Sequence, residues 1–171
     1  VDIKTLFGLP AHPLLVHIPI VLIPLVAIGG IAIAVSPRMR ERFGILTLVL
    51  AVVAFIGTWL ASQSGEALTD SVRGSAALYQ HIDLAGKMKY LALLLLAAVF
   101  GILLFDRLTK QGRKFPAATD AVAIVLMIVI AVGTTGWLIA IGHNGAQATW
   151  QNVHVKSGGG DQGLPAPRPL R

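Results

Sequence analysis

Five histidines, His12, His17, His81, His143 and His154, punctuate an otherwise apolar chain, each at or just beyond the same ends of four hydrophobic runs. Imidazole ligates metals and haem iron and exchanges protons near neutral pH. A group of them at one level therefore predicts a redox or metal site. The chain has no cysteine, which excludes disulfides, thiolate metal sites and iron–sulfur clusters held by this chain alone. There is no CxxCH motif, so covalent c-type haem is excluded as well. Any ligation must use nitrogen, oxygen or methionine sulfur.

Two donor sets are open. A bare divalent transition metal asks for three or four donors at about 2 Å, and His17, Glu66, His81 and His143 offer three imidazoles and a carboxylate. A haem b asks instead for two axial ligands on opposite faces, supplied most simply by facing helices. His12 and His17 are separated by a five-residue step, a turn of about 140° around a helix. Both reach one iron only where prolines bend the chain, so one of the two is expected to support a ligand rather than to be one.

The neighbours refine the choice. Gly136 and Ile139 precede His143 by seven and four positions and share its helix face. A glycine there leaves room for the edge of a flat macrocycle. Gly29 and Gly30 do the same if they face inward, although close helix packing through small residues accounts for the pair equally well. Thr58, Ser62 and Glu66 follow at four-residue spacing. This polar line suits proton movement or hydrogen bonds to ligating groups, and equally plain interhelical bonding. His154 lies beyond the last apolar run and reads as a solvated residue.

The elements that must position these groups are four helices across a bilayer. Hydrophobic residues make up 55% and charged residues 13% of the 171-residue chain, and mean hydropathy is +0.75, outside the range of soluble domains. Residues 14–35, 44–63, 84–105 and 120–141 each approach the roughly 20 residues that cross a ~30 Å hydrocarbon core. A soluble bundle would carry a polar stripe on every helix, and 91–104 or 121–132 have none. The fold class is therefore all-α, a polytopic four-transmembrane-helix bundle. An outer segment, 1–13, precedes the membrane domain, 14–143, and a Gly/Pro-rich tail, 144–171, follows it. The first run holds Pro19 and Pro24 and no basic leader, so it is expected to stay as a helix and not to be cleaved.

Arg38, Arg40 and Arg42 lie between the first two spans, and Arg107, Lys110, Arg113 and Lys114 between the last two. The positive-inside tendency puts these loops in the cytoplasm of a bacterial inner membrane and both termini outside. Counting from that side at 1.5 Å per residue, His17, Glu66, His81 and His143 lie about 28 to 36 Å up their helices. Each helix thus brings a ligating side chain to the outer level. The net charge of +6 is accounted for by cytoplasmic loops beside anionic lipid. No basic surface with stacking residues marks a nucleic-acid site. No Ser-His-Asp set, phosphate loop or catalytic carboxylate pair points to a hydrolase or kinase.

Four short motifs carry a resemblance. AHPLLVHIPIVL at 11–22, SGEAL at 64–68, QHIDLAG at 80–86 and GHNG at 142–145 resemble, in order, a widespread bacterial family of four-span membrane proteins catalogued as domain of unknown function, family 2231. The resemblance runs from Pro10 to about Trp150. It implies an electron-transfer setting, because some members are fused to a Rieske iron–sulfur domain and the layout is similar to small four-helix b-type cytochromes. In those fused relatives the position of His17 is Asp, which favours His12, His81 and His143 as the haem ligands. The family's usual aromatic, glycine and valine-rich ending is replaced here by AQATW, which leaves His154 and the tail outside the carry-over.

The expected function is a b-type haem electron-transfer subunit linking an extracytoplasmic redox partner to membrane quinone. A non-haem metal protein built on the His/Glu cluster and a structural accessory subunit without cofactor are the alternatives. The tail, KSGGGDQGLPAPRPLR from Lys156, has the composition of a mobile linker or an extended recognition segment. It predicts a partner chain in a larger membrane complex.

Overall fold

A computed structural model describes residues 5–6, 8–67 and 75–150. After a two-residue hairpin come five helices, α1 (Ala11–Leu15), α2 (His17–Val35), α3 (Pro37–Glu66), α4 (Ala76–Lys110) and α5 (Thr119–Trp150). In the hairpin β1 (Thr5–Leu6) pairs antiparallel with β2 (Leu9–Pro10) around Gly8, whose φ of 79° suits a residue without Cβ. α1 and α2 form one span, Ala11–Val35. With α3, α4 and α5 this makes four helices long and apolar enough to cross a membrane.

Local chemistry fixes most of the ends. Pro13 falls in the first turn of α1, where no backbone donor is needed. Further on, Pro19 cannot donate to the carbonyl of Leu15, and the helix breaks at Val16 before resuming as α2. Ser36 caps α3, accepting from the Met39 amide with Pro37 at the first helical position, and Ser75 caps α4 by accepting from the Leu78 amide. α4 closes in a Schellman arrangement, Arg113 N donating to Leu108 O and Gly112 N to Thr109 O, with Gly112 at φ 87°. The helices overrun the apolar runs of the sequence, chiefly at the histidine-bearing ends of α4 and α5.

The helices run alternately down and up, each packed against its chain neighbours, and α5 closes the ring against α2. The distribution of side chains is that of a membrane bundle. The interior is lined by small residues, among them Ala51, Ala54, Ala92, Ala131, Thr47 and Thr58, around a few larger ones such as Ile23, Leu95 and Met127. Large apolar side chains face outward: Ile45 is 73% exposed and Ile28 68%. Such a surface is stable only against lipid, and close contact of small residues holds the helices together within it.

Gly29 and Gly30 serve that packing. A Cβ on Gly29 would meet the Thr47 side chain, and one on Gly30 the tip of Met127. Gly57 is tighter, because a Cβ there would press on Cγ2 of Ile18 and lie 2.9 Å from its Cβ. A β-branched side chain cannot swing aside. Gly57→Ala is expected to destabilise the bundle by about 1–3 kcal/mol, and Gly30→Ala by less, since a flexible methionine end can move. Thermal unfolding of the two variants in detergent, beside the parent, measures both.

Candidate functional site

Two of the five histidines meet. His12, in the first turn of α1, and His81, near the start of α4, have ring centroids 6.5 Å apart and planes crossing at 82°. Each ring is held by the span that follows its own in the chain. His12 Nδ1 lies 2.9 Å from the carbonyl oxygen of Ala61 on α3, and His81 Nδ1 lies 3.0 Å from that of Ile141 on α5. A carbonyl only accepts, so in both rings Nδ1 carries the proton and donates. The Nε2 atoms are left with their lone pairs. Anchoring a ring through one nitrogen is how proteins orient an imidazole for ligation through the other.

Glycines make the space for both rings. An added Cβ on Gly65 would lie 2.9 Å from His12 Cε1, and one on Gly145 would lie 3.0 Å from His81 Nδ1. In each case the glycine follows the accepting residue by four positions, Ala61 before Gly65 and Ile141 before Gly145. A single turn of helix thus offers an acceptor at its start and a flat bed at its end. Ser64 adds a hydroxyl beside the first ring, 3.4 Å from His12 Nδ1, while donating to Ala61 O at 2.9 Å. On the other side Trp137 Nε1 donates to Leu84 O at 3.0 Å and ties α5 to α4 one turn along from His81.

The remaining expected residues stand apart from the pair. His143 is exposed and accepts from the Gln147 amide at 3.1 Å. It follows Ile141 by two residues, about 200° around α5, so the carbonyl that holds His81 and the His143 ring cannot share a face. His17 is exposed and donates through Nδ1 to Pro13 O of its own span, at 2.6 Å. Glu66 is exposed, with Lys89 Nζ 4.0 Å from its carboxylate. Among the described residues no three His, Asp or Glu side chains are grouped so as to hold a metal ion. His17, Glu66, His81 and His143 are therefore not gathered into one donor cluster. Thr58 is buried and donates to Ala54 O of its own helix at 2.7 Å, and Ser62 is half-buried one turn beyond it. Gly136 lies on the lipid-facing side of α5, with open space where a Cβ would be. His154 and the tail from Lys156 lie outside the described residues.

Sequence reasoning misses the glycines and carbonyls that build the site. Their signal is present in the SGEAL and GHNG motifs, whose Gly65 and Gly145, rather than the histidine of the second, face the paired rings.

Residues 8–157 match the model of a family described as predicted membrane protein (DUF2231). The chain belongs to the DUF2231 family. No curated protein and no solved structure matches it. The DUF2231 match takes in all four spans and both members of the histidine pair, and it agrees with a four-span membrane protein in contact with lipid.

Proposed function

We propose that this DUF2231 protein is a b-type haem electron-transfer subunit of the bacterial inner membrane, with His12 and His81 as the residues that would hold the haem. On this reading both termini and the histidine end face outward, and electrons pass between an extracytoplasmic redox partner and membrane quinone. The observation that carries it is the His12–His81 pair, with both Nδ1 atoms committed to backbone carbonyls and both Nε2 lone pairs left over.

The donor set fits haem better than a bare ion. A bare transition metal asks the protein for three or four donors, whereas a porphyrin brings its own equatorial nitrogens and asks for one or two. Here the pair supplies two. The two rings stand 6.5 Å apart centre to centre, each with its Nδ1 tied to a backbone carbonyl, and each would offer one nitrogen to the group. Gly65 and Gly145 supply flat beds where any side chain would push the rings aside.

Bound there, haem would take up and release one electron at a time. The chain's own residues orient the two imidazoles through Ala61 O and Ile141 O and hold their tautomers. The test is the visible absorption of the detergent-purified full chain before and after dithionite. A Soret band with sharpened α and β bands on reduction is expected. A featureless spectrum from well-folded protein overturns the reading.

A further inference from the structure

Two lysines, Lys87 and Lys89, fall inside the apolar run 84–105, and the fold treats them differently. Lys87 donates to Asp83 one turn back at 2.6 Å. Lys89 has no acceptor within hydrogen-bond reach among the described residues: the Glu66 carboxylate lies 4.0 Å from its Nζ, and the side chain is 21% exposed. Two aromatic rings frame the ammonium instead. Nζ stands 5.9 Å from the centre of Trp59, on α3, and 5.6 Å from that of Tyr90, and both rings are exposed. Lys89 is sixteen residues before Phe105 and Trp59 fifteen beyond Gly44, so both lie about 22 to 24 Å up their helices. A lysine at that depth extends its ammonium to the headgroup border of a ~30 Å core, where Trp and Tyr also anchor. A charge at such a level calls for an anionic partner.

An apolar groove runs below this cluster. It lies between α3 and α4, walled by Leu48 and Val52 on one side and by Leu93, Leu96, Ala97 and Phe100 on the other. The cluster stands at its head. Lys89 precedes Leu93 by four residues and Leu96 by seven, and Tyr90 precedes Ala97 by seven, so both share the face of α4 that walls the groove. On α3 the exposed residues Val52, Ile56 and Trp59 continue the opposite wall at steps of four and three. The Lys89–Trp59 contact crosses from one wall to the other and sets a positive charge at the upper end.

We propose that the α3/α4 groove binds one phospholipid of the leaflet at the histidine end, with an acyl chain in the groove and the phosphate oxygens accepting from the Lys89 ammonium. The walls offer no polar group, which suits hydrocarbon, and the ammonium above them lacks a hydrogen-bond acceptor, which suits phosphate. A diacylglycerol satisfies only the walls. A free phosphate satisfies only the lysine. The Glu66 carboxylate offsets part of the positive charge, which favours a headgroup that balances its single phosphate charge with an ammonium of its own, as phosphatidylethanolamine does, over a polyanionic one. The site stands whether or not the histidine pair holds haem.

The detergent-purified full chain is photolabelled with a phosphatidylethanolamine carrying a diazirine on one acyl chain. Excess dioleoyl phosphatidylethanolamine, dioleoylglycerol or inorganic phosphate serves as competitor. Label is expected on 48–56 of α3 and 93–100 of α4, suppressed by the phospholipid alone. In Lys89→Met labelling at limiting probe is expected to fall about tenfold, the loss of one charge-assisted hydrogen bond, while Lys87→Met labels like the parent. Suppression by dioleoylglycerol as strong as by the phospholipid makes the groove an unselective apolar surface and overturns the proposal. Suppression by inorganic phosphate, label spread alike over α2 and α5, or labelling unchanged in Lys89→Met overturns it as well. The competitor arms use the parent chain, so they decide the matter even where circular dichroism finds Lys89→Met unfolded.

Discussion

Replacing His81 or His12 with alanine is expected to abolish the haem absorption of the purified protein, while His17→Ala and His143→Ala leave it in place. The contrast follows from position. His12 and His81 face each other at 6.5 Å, whereas the other two rings are exposed and engaged with their own helices. Removing either member of the pair takes away one of the two residues proposed to hold the haem, so the expected effect is loss of its absorption and of most of the bound cofactor. Gly145→Ala should act in the same direction without touching a ligand. Its methyl would lie 3.0 Å from His81 Nδ1 and 3.1 Å from Cε1, and a ring fixed by Ile141 O has little room to retreat. Pyridine haemochrome content per protein, set beside circular dichroism to confirm folding, reads all five variants. Equal haem loss in His143→Ala and His81→Ala would sink the assignment.

Arg40→Ala is expected to lower stability by roughly 3 kcal/mol, the largest effect of any single change at the Ser36 end of the bundle. The Arg40 guanidinium, on α3, reaches back over the end of α2, Nε donating to Ile33 O at 2.8 Å and Nη2 to Ala34 O at 2.9 Å. Its third arm, Nη1, pairs with Asp106 of α4 at 3.2 Å, and the arginine side chain is only 12% exposed. One residue therefore stitches three helices together and satisfies two carbonyls that the helix end leaves without amide partners. Arg40→Lys should recover only part of the loss, because an ammonium lacks the planar fork that serves all three acceptors. Asp106→Asn should cost less than Arg40→Ala, since α2 keeps its cap. Melting temperatures of the three variants in one detergent give the order, and an Arg40→Ala protein as stable as the parent would contradict it.

The four spans are legible in the sequence because an apolar run of bilayer length, with no polar stripe, has little use outside a membrane, and the level of the histidines follows from counting residues. Facing is not legible. Apolar residues surround each helix, so the period that separates core from solvent in a soluble helix carries no contrast between core and lipid. That is why His143, on the lipid-facing side of α5, reads as well for a ligand as His81, and why Gly136 reads as room inside the bundle when it too lies on the lipid-facing side of that helix. The acceptors for the paired rings are backbone carbonyls of Ala61 and Ile141. No side chain announces such an acceptor. The hairpin around Gly8 leaves no signal either, because two-residue strands are too short to show an alternation.

The recurrence of one arrangement on both sides of the pair has a geometric meaning. α2 and α4 descend while α3 and α5 return, and the two hairpins of spans repeat one pattern, His12 matched by His81, Ala61 by Ile141 and Gly65 by Gly145, which is the pattern that a two-fold axis between the halves would produce. The histidines flank that axis and receive the same backbone support from it. Whatever distinguishes the two imidazoles must then come from where the halves depart from symmetry. The clearest departure is Ser64, whose hydroxyl stands beside His12, with Asn144 in the rotated position turned to its own helix at Ala140 O. Exchanging those two residues would alter the inequality between the rings while leaving the axis intact.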